Sequence, residues 1–141
     1  MIIAPEKHIY LRLVSNPAVA RAVGFQVYPV AVPKGAGFPF IVYRRSNIAR
    51  ESSLGGPLFT PTLSLQVASW GLTHEAARSL ADDVRLCLDG YNGTMQNSTI
   101  QSMRLTSETD DYLDPTQVGA QLPPAYEVRQ LYQIHWSEST Q

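Results

Sequence analysis

A chain of 141 residues, 44% hydrophobic and 16% charged, has the size and composition of one ordinary domain. Its formal net charge of −1 argues against a broad nucleic-acid or lipid-binding face. A single cysteine excludes an internal disulfide, and no apolar run approaches the roughly 20 residues of a membrane span. The opening MIIAPEKHIY lacks the basic segment and continuous apolar stretch of a secretory signal. The expectation is a soluble protein made in a reducing cytoplasm.

Pro5 suits the first turn of a helix, and Ile9, Leu11, Leu13 and Val14 give that helix an imperfect apolar face ending near Ser15. Asn16 and Pro17 then read as an N-cap followed by proline at the first helical position. This second helix is short, running through Ala18, Val19, Ala22 and Val23 to a stop at Gly24. Residues 25–29 form a short strand that Pro29 confines to an edge or an end. Residues 32–39, VPKGAGFP, are turn-forming, and 40–45, FIVYRR, are a strand by β-branched and aromatic content. The connection 46–61, with Gly55-Gly56-Pro57 and Pro61, is either a loop or a projecting hairpin arm.

Residues 62–93 carry the clearest signal. Leu63, Leu65 and Val67 alternate with polar or small neighbours, which is a half-buried strand. At Thr73 the apolar period changes to about 3.6, and Ala76, Ala77, Leu80, Val84, Cys87 and Leu88 form one helical stripe. Residues 98–107 follow as a strand, whose apolar spacing changes face between Ile100 and Met103 and so predicts a bulge. Residues 108–124 read as a second long polar connection. Residues 126–137 close the fold as a strand with Val128, Tyr132, Ile134 and Trp136 on one face, and 138–141 as a frayed tail. The order is ααβββαββ. The fold class it predicts is α+β, a mostly antiparallel sheet of four to five strands packed against one long helix and the N-terminal helices.

Candidate chemistry is sparse. Glu108, Asp110, Asp111 and Asp114 form the one carboxylate cluster. A hand-type calcium loop starting there would need glutamate at the position held by Gly119, so a solvated or subunit-contacting segment is the better reading. His8, His74 and His135 sit in separate elements, and neither GxSxG nor HExxH occurs. Gly55-Gly56-Pro57 lacks the lysine and following helix of a phosphate loop. Cys87 lies on the apolar stripe and reads as a small core residue. These observations assign no catalytic residue, no cofactor and no metal.

The pattern as a whole resembles the tail-completion, or tail-terminator, proteins of long-tailed bacteriophages. The matching passages are VYP at 27–29, FPFIVYRRS at 38–46, LSLQVASWGLTHEAARSLADDVRLCLDG at 63–90, IQSMRLTSETDDYLD at 100–114 and YEVRQLYQIHW at 126–136. The chain departs from the family in GGPLFTPT at 55–62, where two prolines frame the approach to the strand. The resemblance implies a virion structural protein of the tail or neck, with no catalysis. Its partners would be copies of itself in a ring, usually hexameric, the tail tube protein, and the connector or neck proteins under the capsid. No membrane and no sequence-specific nucleic acid are implied.

A cyclic ring is built from heterologous contacts, one face of a subunit meeting a different face of the next. The basic arm, with Arg44, Arg45, Arg50 and Glu51, and the acidic run of Glu108, Asp110 and Asp111 are therefore the candidate subunit-interface residues. Two rival readings exist: a head-side adaptor or stopper of the neck, and a small α+β enzyme with its site around His135 and the carboxylates.

Overall fold

In the computed structural model, residues 5–30, 32, 37–49, 52–53, 56–57, 62–95, 98–113 and 125–137 are described. The fold is α+β. Helices α1 (Pro5–Ser15) and α2 (Pro17–Val23) precede strands β1 (Val27–Pro29) and β2 (Phe40–Ala49). Two short strands, β3 (Ser52–Ser53) and β4 (Gly56–Pro57), pair with each other as a small hairpin. Strand β5 (Thr62–Gly71) and helix α3 (His74–Leu88) follow, then β6 (Gly93–Met95), β7 (Ser98–Leu113) and β8 (Ala125–Ser137).

The main sheet has six strands in the order β1-β2-β5-β8-β7-β6. It is mixed, because β1 runs parallel to β2 while every other pairing is antiparallel. Four to five strands are expected, and β6 is the addition: a three-residue strand on β7. The second correction concerns the acidic run. Residues 108–113 continue β7 rather than opening a connection; the rest of the expected connection, 114–124, lies outside the described residues. On the basic side, β2 continues to Ala49 and the β3–β4 hairpin follows, which is the arm rather than the loop. Arg50, Glu51 and 138–141 lie outside the described residues.

The local signals explain the helices. Asn16 Oδ1 accepts from the amides of Ala18 and Val19 at 3.0 and 3.1 Å, and Gly24 ends α2 at φ 62°. Thr73 Oγ1 accepts from the Ala76 amide at 3.0 Å, satisfying one of the donors that a helix start leaves free. Gly90, at φ 79°, turns the chain after α3. Gly71 is required at the corner before α3, where an added Cβ would stand 2.9 Å from the Ala77 amide nitrogen.

All three helices pack on one face of the sheet. Leu80, Val84, Cys87 and Leu88 of α3 meet Leu63, Leu65 and Val67 of β5 and Tyr132, Ile134 and Trp136 of β8, with Ile9, Leu13, Val19 and Val23 completing the cluster. The expected bulge lies between Ile100 and Ser102, and a second between Leu105 and Ser107 keeps Met103, Leu105 and Glu108 on the helix-covered face. The opposite face has no helix on it among the described residues. It carries Phe40 stacked on Trp70 at one end and, across the middle, Arg44, Gln66 and Leu131 in register.

Leu80 is 2% exposed and central to this cluster. Leu80→Ala removes a buried side chain and leaves a cavity, so denaturant unfolding is expected to show a loss of about 2–5 kcal/mol. A loss below about 1 kcal/mol would mean that α3 is not seated on the sheet as described.

Candidate functional site

The side chains of the acidic run separate by face. Glu108 and Asp110 point to the helix side, where they meet α3. Gln130, fully buried on β8, donates from Nε2 to the Ala81 carbonyl at 3.0 Å and to Glu108 Oε2 at 2.7 Å. Its Oε1 accepts from the Tyr132 hydroxyl at 3.1 Å. Arg78 reaches Glu108 Oε1 at 2.7 Å and Asp110 Oδ1 at 3.4 Å, and pairs with Asp82 one turn along α3 at 3.6 Å. His74 Nε2 lies 2.8 Å from Asp110 Oδ2. The result is a polar ladder from the core to the surface that fastens the distal half of β7 to α3.

The electrostatics follow from these bonds. Glu108 is held below the usual carboxylate range, chiefly by the hydrogen bond from Gln130 and further by Arg78, against the opposing effect of burial. Asp110 is lowered chiefly by the bond from His74, with Arg78 assisting. Arg78 is raised, first by its bond to Glu108. Glu127, 5% exposed, moves the other way: burial raises it, and the adjacent Arg129 at 2.9 Å offsets that only in part.

The basic residues also separate. Arg45 turns to the helix side and pairs with Glu6 of α1 at 2.6 Å. Arg44 is exposed on the helix-free face and has no ion-pair partner among the described residues. Asp111 lies on that same face, exposed, with its Oδ1 accepting from the Tyr112 amide at 2.8 Å. Among the described residues, Arg44 and Arg45 are not brought to the acidic run within one copy. Arg44 sits on β2 and Asp111 on β7, with β5 and β8 between them. The ladder itself escapes sequence reasoning: a lone Gln130 among alternating strand residues carries no mark of burial. The i, i+4 pairing of Arg78 with Asp82 is the part that spacing could have suggested.

The histidines do not converge. His8 is buried and bonds the Tyr91 hydroxyl at 2.8 Å, and His135 Nδ1 meets its cross-strand neighbour Thr62 at 3.0 Å. Cys87 is buried against the Arg12 carbonyl, and its thiol is pushed up by desolvation. Among the described residues no group of three or more His, Cys, Asp or Glu comes together as a metal site, and no helix is long and apolar enough to cross a membrane. A shallow apolar notch lined by Phe38, Pro39, Gly71, Leu72, Thr73 and Ala76 opens at the start of α3, with no titratable side chain in its wall.

The described residues thus form an α+β scaffold with its helices on one face of the sheet. The family of tail completion protein gp17 matches residues 7–119, and the chain belongs to that family. It is accordingly a structural bacteriophage tail protein, a component of the virion and not an enzyme. No curated relative matches the sequence. Among solved structures, a chain from the virion of a native gene transfer agent particle shares the fold, with a TM-score of 0.73 and 14% identity over 92% of this chain and 91% of that one.

The depressed carboxylates make the ladder pH-dependent. Glu108 and Asp110 have folded-state values below their unfolded ones, so their contribution is complete above about pH 5 and is lost as pH falls through the folded values. Glu127, being raised, contributes with the opposite sign. Urea unfolding between pH 7 and pH 3 is expected to show stability falling with acid, with a flatter slope in Glu108→Gln. Glu108→Ala is expected to cost about 1–3 kcal/mol at pH 7, because the buried Gln130 amide loses its charged acceptor. An unchanged slope in Glu108→Gln would remove the ladder from the account.

Proposed function

We propose that this subunit forms a ring at the head-proximal end of the tail, where it ends growth of the tail tube and presents a surface to the head–tail connector. The family match over residues 7–119 carries this reading. The fold supports it in a specific way. The described helices lie on one face of the sheet, and the β2–β5 and β7–β8 connections leave from opposite ends. The β2–β5 arm departs beside His135, whereas the 114–124 connection departs beside Tyr126 and Gly71. One copy can therefore offer different surfaces to the neighbour on each side and to the tube and connector above and below. Six copies is the stoichiometry we assign. The tail tube protein and the connector or neck proteins are the partners.

The residues assigned to contacts between copies are Arg44, Arg45, Arg50, Glu51, Glu108, Asp110 and Asp111. Of these, Arg44 and Asp111 carry the charge left without an ion-pair partner inside one copy among the described residues. Exposed pairs contribute only about 0–1 kcal/mol each, so the benefit lies in fixing register rather than in raw stability.

Particles assembled without this protein are expected, by electron microscopy, to give filled heads beside unattached tails of uncontrolled length. Pull-down with the tail tube protein and with the connector proteins reports which side is engaged first. Tails of normal length that remain unjoined, together with capture by connector proteins alone, would assign the protein to the head side of the neck instead. Joined particles with normal tails would sink the reading.

A further inference from the structure

Among the described residues, the main sheet is open on both borders, and the open stretches match. On one border, β1 covers β2 only from Ile41 to Tyr43, with the Val30 amide bonding the Tyr43 carbonyl. From Arg44 to Ala49, no described strand pairs with the outer side of β2. On the other border, β6 covers β7 only from Ser98 to Ile100, and the turn after α3 serves two further groups. The Gly90 amide donates to the Met103 carbonyl, and the Leu105 amide donates to Asp89 Oδ1. From Ser107 to Asp111, no described strand pairs with the outer side of β7.

The geometry points to an antiparallel pairing between these edges, β2 of one copy adding to β7 of the next, so that the sheet continues from copy to copy. This rests on the ring reading above and names the surface that would build it. Three observations converge. First, direction: β2 and β7 run oppositely within one copy, so rotation about an axis along the strands brings them together antiparallel. Second, length and face: Ser46 is skipped in the register of β2, leaving Arg44, Arg45, Asn47, Ile48 and Ala49 to face Asp111 through Ser107. In that register Arg44 stands opposite Asp111 on the helix-free face, and Arg45 opposite Asp110 on the helix side. Third, charge: the uncovered stretch of β2 begins with two arginines and that of β7 ends with two aspartates. On the helix-free face Arg44 and Asp111 would meet as opposite charges, while on the helix side Arg45 and Asp110 keep their partners Glu6, His74 and Arg78 within each copy.

Unpaired strand edges are normally blunted, because they invite uncontrolled pairing. Charges of one sign on each border do that here for like edges, repelling β2 from β2 and β7 from β7, while admitting the heterologous pair. Within one copy Arg44 shares a row with Ser107, so meeting Asp111 shifts the seam by about four residues, roughly 13 Å at the usual rise per residue. A closed sheet absorbs such a shift by tilting its strands against the ring axis.

Cross-linking in assembled particles tests the register. Cα atoms opposite each other in an antiparallel pair are about 4.5–5.5 Å apart, within reach of a disulfide. Cys87 is 3% exposed and does not compete. The double variant Arg44→Cys, Asp111→Cys is expected to give, under mild oxidation, a non-reducing ladder up to the ring multiplicity that collapses with reductant. A mixture of the two single variants should stop at dimers. The double variant Arg45→Cys, Asp110→Cys reports the same register on the other face. Rings of normal mass with no sulfur link in either double variant would overturn the edge pairing and leave the ring reading standing. A chain that never assembles beyond a monomer on tail tubes would overturn both.

Discussion

Everything in this molecule hangs on the seating of α3 across β5 and β8. The apolar stripe of α3 is about one helix face wide, and it meets side chains that alternate along two neighbouring strands. Leu63, Leu65 and Val67 stand in register with Ile134, Tyr132 and Gln130, so two strands present one continuous row to one helix. At roughly 25 cal/mol per Å² of apolar surface buried, such a contact outweighs any single ion pair in the protein. Among the described residues it also leaves the other face of the sheet without a helix, and the sheet's borders are covered only by the short strands β1 and β6. The same packing that makes the core therefore decides where the unfinished surfaces lie.

The row contains one polar interruption, Gln130, and it has a structural consequence. A buried amide is tolerated only when its donors and acceptor are met, and here Ala81, Glu108 and Tyr132 meet them. Because Glu108 and Ala81 belong to different elements, the amide locks β7 to α3 beyond the point where apolar side chains run out. Arg78 extends the lock to Asp110. Together with the His74–Asp110 bond, it fastens the outer half of β7 to α3 as well as to β8. With it, an edge strand becomes a fixed border.

This also explains how much of the fold can be read from the chain. Helix α3 and strand β5 announce themselves by a change of period at Thr73, and the caps Asn16, Thr73 and Gly24 mark their helices because backbone chemistry there is local. The bulge after Ile100 shows as a break in apolar spacing. The outer half of β7 gives no such sign. Ser107 to Asp111 has no apolar residue, since its helix-side positions face a polar ladder rather than the core, and a strand of that kind looks like a loop. Strand β6 is hidden by Gly93, and the parallel placement of β1 depends on a partner distant in sequence. Charge was legible at the level of residue type. Which face each charge occupies was not, because it depends on a bulge and on a pairing partner.

The division of charge follows from that placement. Arg45, Glu108 and Asp110 lie on the helix side and find partners on α1, α3 and β8, where their role is to hold elements together. Arg44 and Asp111 lie one residue away on the other face, at opposite borders, where no helix is within reach among the described residues. Alternation along a strand thus divides two adjacent pairs of like charges into one set that stabilises a copy and another that, in the proposed ring, meets the next copy. The proposed ring needs both, since a copy must be rigid before its borders can define an angle. Rigid borders of opposite charge on opposite sides of a sheet favour one orientation between neighbours. A fixed angle repeated at every seam is what closes a circle instead of extending a filament.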